Sequence, residues 1–484
     1  DQLHVPLIQT ARQRQDDPDL AAVSSLGESW ETAQGTAQRQ IWALRLTNSR
    51  VAGPKPRLLV VGLHHAREIV TPEAVLGLAQ RLLTERVADV DVAWLLDTTE
   101  IWLVPMVNPD GHARAVSRQD WRKNADEDYC GKGRVRDGDG PGVDLNRNYG
   151  YRWGGVGASP QPCDSTFRGP AAFSEPESAA VRDLIEDTAF DLVVSLHAFS
   201  GIVLYPWGYT KAPAPDAEGL TALAAELAAP MGYEPRQSAA LYVTSGDTCD
   251  WAYGAAGIPC VTFELGTQRD GGFWPSCAVR SRLVEGAVEA LVHAVRLAPD
   301  PLSLALGPRT TRVRAVVGAS EARVSASLET SAARSGDIAA AELFFDRLGP
   351  PGGGLAMEVT SRMGRGSASL VVPLREAPAG GHYVLVRGAD DRGRWGPAAA
   401  GWLMNGAGPT ATPPPTATAA TTPPTPAASE TSTVAAGWPR RLVLPALLRG
   451  GSGRPRLGAP GVRRPLCGEV ARHILAQCSS PSAL

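Results

Sequence analysis

Hydrophobic residues follow two alternating patterns over residues 1–300. Short continuous aliphatic runs, typical of strands buried on both faces of a sheet, cover residues 58–63, 101–107, 191–196 and 260–263. Longer stretches with apolar residues at helical spacing lie between these runs. The sequence predicts that Thr71 caps the first helix, that Ser174 and Glu177 form a capping box for another, and that the last helix spans 279–297. This alternation predicts an α/β fold with one open, largely parallel, doubly wound sheet.

The pattern changes after residue 300. Residues 301–405 contain short alternating runs separated by Gly and Pro, without a helical period, which predicts a small antiparallel β-sandwich. Its last run resembles the final hairpin of the immunoglobulin-like modules of secreted bacterial enzymes. Residues 406–436 are rich in Thr and Pro and almost free of large apolar residues, so we expect a disordered linker. The basic and apolar tail, residues 437–484, is either a cell-surface attachment element or disordered.

Charge and hydropathy exclude several classes of partner. The 484 residues include 47 basic and 50 acidic side chains, a net charge of −3, which gives no broad positive surface for nucleic acid or an anionic membrane. No apolar run reaches the roughly 18 residues that cross a bilayer, so no transmembrane segment is expected. The spacing of the seven cysteines favours oxidising, extracellular surroundings. The chain begins at Asp1 with a polar segment, which leaves open whether a leader was removed.

Polar side chains stand where three of the predicted strands end. His65 and Glu68 follow the first run, His197 follows the run 191–196, and Glu264 follows the run 260–263. A histidine near a glutamate is commonplace, but the carboxyl ends of parallel strands meet at one edge of a sheet. Two imidazoles and one carboxylate leave a zinc ion an open fourth position, which is the arrangement of catalytic sites. A further carboxylate beside that position is what a general base requires.

Several motifs together carry a family resemblance. They are His65-x-x-Glu68, Gly142-Val-Asp-Leu-Asn-Arg-Asn-Tyr149, Ser195-Leu-His197, Leu204-Tyr-Pro-Trp-Gly-Tyr209, Tyr242 with Ser245-Gly246, and Thr262-Phe-Glu-Leu265. In this order, over roughly residues 30 to 297, they resemble the zinc metallocarboxypeptidase family of the pancreatic carboxypeptidase A type. The resemblance implies a mixed, doubly wound sheet and a secreted enzyme that removes residues from the free C-terminus of peptides and proteins.

The resemblance also implies the catalytic residues. Zinc would be held by His65, Glu68 and His197, with water as the fourth ligand. Glu264 would be the general base, which takes a proton from the water as it attacks the scissile carbonyl. Arg122 would help to stabilise the developing oxyanion.

Four further positions match the family's substrate-binding residues. Asn146 and Arg147 correspond to the pair that binds the terminal carboxylate, for which a planar guanidinium is well suited because it can form two parallel bonds. Arg67 corresponds to a residue of the substrate cleft. Tyr242 corresponds to the mobile tyrosine that closes over the substrate.

Two positions bear on the preference for the terminal residue. Cys249 stands where the A type has an aliphatic residue at the floor of the side-chain pocket and the B type has an aspartate. Asp247 resembles the bacterial carboxypeptidase T branch, which accepts apolar and basic terminal residues, although an aspartate that caps a loop is the alternative. We therefore expect broad specificity that includes terminal Lys or Arg.

The loop region between these motifs carries two other expectations. The resemblance pairs Cys130 with Cys163 in a disulfide. The acidic stretch 137–144 looks superficially like a calcium loop, and the secreted bacterial branch has calcium sites. However, this stretch lacks the downstream bidentate glutamate of an EF-hand, so Ca²⁺ remains open.

Two other functions remain as alternatives. A zinc hydrolase of the same fold could act on cell-wall peptides or acylated amino acids, but Asn146, Arg147 and Tyr242 favour terminal peptide carboxylates. A non-catalytic binding protein would be expected to lack a ligand or the base, whereas Glu264 and the three ligand types are all present.

Overall fold

The structure is a computed structural model that describes residues 19–117, 120–130, 140–330 and 336–406. The tail 437–484 and all but the first residue of the predicted linker 406–436 lie outside the described residues. The first three residues of the acidic stretch 137–144, residues 137–139, lie outside them as well.

The first part of the chain forms an eight-stranded sheet. Its strands are β1 (Ala21–Glu28), β2 (Gln40–Leu46), β3 (Arg57–Gly62), β4 (Glu100–Val104), β5 (Leu192–His197), β6 (Ile202–Tyr205), β7 (Glu234–Gln237) and β8 (Cys260–Glu264). The strand order is β1-β2-β4-β3-β5-β8-β6-β7. β3 is parallel to β4 and β5, β5 to β8, and β6 to β7, whereas β2 on β4 and β6 on β8 are antiparallel. The sheet is therefore mixed, as in the carboxypeptidase type of fold.

Helices cover the sheet. They are α1 (Trp30–Ala33), α2 (Val70–Glu85), α3 (Val90–Thr98), α4 (Pro109–Ser117), α5 (Pro176–Asp187), α6 (Ala217–Ala228), α7 (Ser238–Leu241), α8 (Thr248–Gly254), α9 (Cys277–Leu297) and α10 (Pro301–Leu304), with 3-10 turns at Leu145–Arg147, Ala229–Met231 and Gln268–Asp270. In the part of the chain described here, none of them combines the length and the apolar character that a bilayer span requires.

The aliphatic runs are continuous because each central strand contributes to two cores. Leu58 and Val60 of β3 belong to one buried apolar cluster, and Leu59 and Val61 belong to the other. Successive side chains of a strand point to opposite faces, so a strand covered on both sides needs apolar residues at every position. This confirms the interpretation of the run 58–63 as a buried strand.

Thr71 does not cap α2, contrary to the prediction. The helix begins at Val70, and the Thr71 hydroxyl accepts a hydrogen bond from the Leu63 N–H at 2.9 Å and donates one to the Glu68 carbonyl at 3.0 Å. These two bonds join both ends of the turn that follows β3. Thr71 therefore fixes the loop that carries His65 and Glu68 instead of the helix end.

The predicted capping box at Ser174 and Glu177 is also wrong. α5 begins at Pro176, and no side chain caps its first turn. The Glu177 carboxylate instead accepts hydrogen bonds from the Trp30 N–H at 2.9 Å and from the Asn124 amide at 3.2 Å. These long-range bonds replace the local cap because the carboxylate is fully buried and must be satisfied where its partners lie.

The chain after residue 308 forms two antiparallel four-stranded sheets. The strands are β9 (Arg309–Val317), β10 (Glu321–Glu329), β11 (Ile338–Phe345), β12 (Leu355–Ala356), β13 (Glu358–Arg362), β14 (Arg365–Pro373), β15 (Gly380–Asp390) and β16 (Ala399–Asn405). The orders are β13-β14-β10-β9 and β12-β11-β15-β16. Alternate residues of β10 and β14 from one sheet and of β11 and β15 from the other share one buried apolar cluster. The expectation of antiparallel strands in this region is confirmed.

These sheets pack against helices of the first part of the chain. Leu385, Ala398 and Ala400 belong to the same apolar cluster as residues of α2 and α9. The Tyr383 hydroxyl donates to Asp97 Oδ2 of α3 at 2.9 Å. The Ala400 N–H donates to Asp91 Oδ1, also of α3, at 2.8 Å. The contact is therefore a packed core with partly buried hydrogen bonds at its edge.

The contact between the two parts should contribute to stability. Tyr383→Phe removes one hydrogen bond to a carboxylate and leaves the ring in place, so the free energy of unfolding should fall by about 1 kcal/mol. Urea unfolding of the whole chain, followed by tryptophan fluorescence, measures this change. Tyr129→Phe makes the same change at a tyrosine that is 37% exposed, and it should leave stability unaltered. Equal stability of both variants would contradict the assigned role of the Tyr383 bond.

Candidate functional site

Three metal-binding side chains meet at the carboxyl edge of the sheet. His65 and Glu68 lie on the loop after β3, and His197 is the last residue of the neighbouring parallel strand β5. His65 Nδ1 is 2.7 Å from Glu68 Oε1, and His197 Nδ1 is 3.1 Å from both His65 Nδ1 and Glu68 Oε2. All three side chains are buried. Among the described residues, this is the one group of His, Cys, Asp or Glu whose ligand atoms converge in this way.

The donor set fits zinc. Ligand atoms about 2.0–2.1 Å from a tetrahedral zinc ion lie roughly 3.3 Å apart, close to the separations observed here. Burial lowers the pKa of His197, which favours the neutral imidazole. Burial raises the pKa of Glu68, but His65 and His197 outweigh burial, and the net shift is downward. A neutral imidazole and an ionised carboxylate are the protonation states that bind a metal.

Asp144 connects the metal ligands to the candidate oxyanion residue. Its Oδ1 lies 3.2 Å from His65 Nε2, and its Oδ2 accepts hydrogen bonds from Arg122 at 2.8 and 3.1 Å. Burial would raise the pKa of this carboxyl, but the Arg122 and Arg147 guanidinium groups hold it well below its usual range. A carboxylate on the outer nitrogen of a ligand histidine fixes the orientation of the ring.

The sequence interpretation missed this role of Asp144. The residue lay inside the motif 142–149 and was considered only as the end of a calcium loop. Both of its oxygens are engaged by His65 and Arg122, so nothing in the described residues supports calcium at this loop. Its position two residues before Asn146 indicated that it lies near the site. Its partners His65 and Arg122 are 79 and 22 positions away along the chain, so no local pattern could identify them.

Glu264 lies beside the metal ligands. It is the last residue of β8 and is the register partner of His197 in the parallel strand β5. Burial and the nearby charge of Glu68 raise the pKa of Glu264 to about 8. Such a carboxyl can both accept and release a proton near neutral pH, as general acid–base chemistry requires.

A cavity of about 570 Å³ opens next to this group. Three guanidinium groups contribute to its wall, and none of the lining residues carries a carboxylate: Arg67, Arg122, Arg147, Gly157, Ala158, Ser159, Ser165, Thr166, Tyr242 and Val243. The Tyr242 side chain is 51% exposed. The Arg67 guanidinium lies 4.2 Å over the Phe273 ring. The cavity is therefore suited to an anionic group, and it contains four of the residues that the resemblance singled out.

The Asn146–Arg147 pair joins the cavity to the metal ligands. Arg147 is 3% exposed, and its Nε donates to the Gly157 carbonyl at 2.9 Å while Nη1 donates to the Asn146 carbonyl at 2.7 Å. Its guanidinium carbon lies 5.9 Å from the Tyr242 ring centroid. The Asn146 amide nitrogen is 3.4 Å from His197 Nε2. The pair therefore lies between the metal ligands and Tyr242.

Two glycines allow the loops around this pair to approach closely. Gly157 has φ +83°, and a Cβ there would lie 2.1 Å from the Val243 carbonyl oxygen. Gly246 has φ +72°, and a Cβ there would lie 2.5 Å from the Arg147 carbonyl oxygen. Both contacts are with backbone atoms that cannot move aside, so any other residue would displace the wall of the cavity.

The loop 157–166 is fastened at its far side. A disulfide joins Cys163 to Cys130, the pair that the resemblance implies, with 5.0 Å between the Cα atoms. The buried Lys123 ammonium donates to the carbonyls of Pro162 at 3.1 Å and Asp164 at 3.0 Å. These links hold the part of the cavity wall that faces Arg147.

Asp247 and Cys249 are not among the residues that line the cavity. Asp247 is the N-cap of α8, because its Oδ1 accepts the Asp250 N–H at 2.8 Å. Its Oδ2 is buried and has no hydrogen-bond partner among the described residues, and burial raises the pKa of this carboxyl. Asp247 therefore caps the helix through one carboxylate oxygen, and the other oxygen has no hydrogen-bond partner among the described residues.

Cys249 offers no free thiol. It forms a disulfide with Cys260, the first residue of β8, inside a buried apolar cluster. The sequence interpretation left this pairing open, because cysteine spacing alone does not determine connectivity. The bond ties the first turn of α8 to the strand that ends at Glu264.

Comparisons with known proteins identify the family of this chain. The family model described as zinc carboxypeptidase matches residues 8–289, more than half of the chain. Carboxypeptidase B of Astacus astacus is 32% identical over 269 residues, which are 53% of this chain and 83% of that protein. A zinc carboxypeptidase of Saccharothrix mutabilis subsp. capreolus is 31% identical over 294 residues, which are 57% of this chain and 64% of that protein.

A solved structure supports the fold. The structure of bovine thrombin-activatable fibrinolysis inhibitor, in complex with tick carboxypeptidase inhibitor, aligns with a TM-score of 0.52 at 24% identity, and covers 61% of this chain and 95% of that chain. At this identity the likeness concerns the fold alone. Together with the sequence matches, it confirms the resemblance drawn from the motifs: the chain belongs to the zinc carboxypeptidase family.

Proposed function

We propose that this protein is a secreted zinc metallocarboxypeptidase that hydrolyses the C-terminal peptide bond of peptides and proteins. One observation carries the proposal. The zinc-type donor group of His65, Glu68 and His197 adjoins a cavity lined by three arginines, which can take the anionic end of a peptide. An endopeptidase would have no use for such a cationic wall at one end of its site.

Each residue of the site has its own role in the proposed hydrolysis of the peptide bond. Zinc held by the three ligands would supply a Lewis acid and an activated water molecule. Glu264 then accepts a proton from the attacking water and delivers it to the leaving amine. Arg122, kept in place by Asp144, donates hydrogen bonds toward the carbonyl oxygen as negative charge develops on it.

The exopeptidase character follows from the wall of the cavity. Arg147 binds the terminal carboxylate with its guanidinium, and Asn146 adds an amide donor. Tyr242, half exposed beside Arg147, has room to close over the bound residue. Arg67 lies on the same cavity wall, where it can contact the substrate further from the scissile bond.

Broad specificity for the terminal residue is part of the proposal. The buried Oδ2 of Asp247 has no hydrogen-bond partner among the described residues, and the guanidinium or ammonium group of a terminal Arg or Lys that extends past the cavity wall would supply one. Burial raises the pKa of this carboxyl, which lowers the cost of leaving it without a cationic partner when an apolar residue is bound.

The rest of the chain completes the proposed organisation. Residues 1–300 form the catalytic domain and residues 301–405 an immunoglobulin-like accessory domain, while the predicted tail 437–484, which lies outside the described residues, could attach the protein to a cell surface. The Cys130–Cys163 and Cys249–Cys260 disulfides support an oxidising, extracellular location.

Activity should depend on zinc and on a free C-terminus. The purified protein should release single amino acids from the carboxyl end of a peptide, lose this activity on treatment with 1,10-phenanthroline, and regain it with Zn²⁺. The same peptide with an amidated C-terminus should be cleaved at least about tenfold more slowly, because the Arg147 contact is lost. Mass spectrometry of the products measures both effects. Internal fragments, or activity indifferent to chelation, would contradict the proposal.

Replacing the base should separate zinc binding from turnover. Glu264→Gln keeps the shape of the side chain but cannot accept a proton, so kcat should fall at least about 100-fold. Zinc content, measured by atomic absorption, should be unchanged. Glu285→Gln, on the exposed face of α9, is the matched control and should be fully active. Loss of zinc from the Glu264 variant would show that this residue is a ligand instead.

The charge of Asp247 should govern the acceptance of basic residues. Asp247→Asn keeps an oxygen that can cap α8 but removes the charge, so kcat/KM for a blocked dipeptide ending in Arg should fall at least about tenfold. The value for a dipeptide ending in Phe should change less than about twofold. An unaltered ratio of the two values would rule out Asp247 as the pocket residue.

A further inference from the structure

The Asn146 side chain is held by one residue from the opposite side of the site. Its Oδ1 accepts two hydrogen bonds from Thr248, one from the backbone N–H at 3.0 Å and one from the hydroxyl at 2.9 Å. An amide oxygen can only accept hydrogen bonds, so these two donors identify which end of the amide faces α8. The NH₂ group therefore faces the metal ligands and lies 3.4 Å from His197 Nε2.

The Thr248 hydroxyl is itself enclosed. Thr248 is 1% exposed, and its Oγ1 lies 3.2 Å from Nε2 of the fully buried His64. The same nitrogen is 2.8 Å from the hydroxyl of Tyr149, which is also fully buried. Bulk water has no access to this cluster, so no solvent molecule can replace a hydroxyl that is lost.

The backbone of Thr248 is also fixed. Thr248 is the first residue of α8, Asp247 before it caps the helix, and Cys249 after it is bonded to Cys260 of β8. Both hydrogen-bond donors of Thr248 are therefore fixed relative to the sheet that carries the metal ligands.

We propose that Thr248 is the positioning residue of the carboxylate site: it holds the Asn146 oxygen toward α8, which leaves the NH₂ group, on the side of His197, as the end that can donate to the terminal carboxylate of the substrate. This inference rests on the proposed function. A free amide can rotate by 180° and place its oxygen against the carboxylate, where two acceptors repel each other. The two bonds from Thr248 remove that alternative before the substrate arrives, which is preorganisation of the site.

Removal of the hydroxyl tests the role of Thr248. Thr248→Val has nearly the same shape and keeps the backbone N–H, so KM should rise roughly 5- to 10-fold while kcat changes less than about twofold, because a uniform binding contact is weakened. The Kd for 3-phenylpropionate, a simple monocarboxylate, should rise by the same factor. Thr248→Ser restores the hydroxyl and should restore both values to within about twofold.

The control is a threonine with the same burial but no such bond. Thr310 on β9 is 1% exposed, and its hydroxyl has no hydrogen-bond partner among the described residues. Thr310→Val should leave KM and kcat unchanged. If Thr248→Val lowers the melting temperature, Thr248→Ala removes the hydroxyl without a second methyl group and should show the same rise in KM.

The outcomes separate this inference from the proposed function. Unchanged KM and unchanged 3-phenylpropionate affinity in Thr248→Val would overturn the inference and leave the carboxypeptidase activity intact. Equal impairment of Thr248→Val and Thr248→Ser, or loss of zinc together with kcat, would also overturn it by indicating a merely structural role. If the unaltered protein releases no C-terminal residues, the proposed function fails, and the 3-phenylpropionate titration still tests Thr248.

Discussion

A buried negative charge is the constraint around which the site is organised. The Glu68 carboxylate is 2% exposed, and a charge in that position costs several kcal/mol of lost hydration unless partners balance it. His65 and His197 lie 2.7 and 3.1 Å from its two oxygens, and the Ala198 N–H donates to Oε2 at 3.2 Å. These partners come from two parallel strands, so the charge can be buried only when β3 and β5 are paired in the observed register. The assembly of the zinc-type donor group and the pairing of β3 with β5 therefore depend on each other.

Hydrogen bonds from neighbouring residues hold the metal-binding side chains in place. Asp144 connects His65 to Arg122, so the residue that we propose to stabilise the oxyanion is held at a fixed distance from the candidate metal ligands. Thr71 ties together the two ends of the loop between β3 and α2 on the other side. Replacing either residue would change the orientation of the metal-binding side chains, because hydrogen bonds from surrounding residues set that orientation.

The substrate side of the site is attached to the sheet through α8. Thr248 holds the Asn146 amide, and the Cys249–Cys260 disulfide holds α8 to the strand that ends at Glu264. The Asn146–Arg147 pair, which we propose to bind the carboxylate, and the candidate base Glu264 are therefore both connected to α8. Tyr242, just before this region, is half exposed, so the residue that we propose to close over the substrate lies outside the fixed part of the site.

The amino-acid sequence by itself determined four of the eight strands of the mixed sheet, the alternating α/β order, the change to antiparallel strands after residue 300, and the residues that stand at strand ends. These follow from local periodicity and from motifs, which depend on few neighbours. Only the tertiary structure decided that Thr71 serves a loop and not a helix cap, that Cys249 pairs with Cys260, and that Thr248 holds Asn146. The physical reason is that a polar side chain takes the donor or acceptor that packing brings to it. For Thr248 that partner lies 102 positions away, beyond the reach of any local pattern.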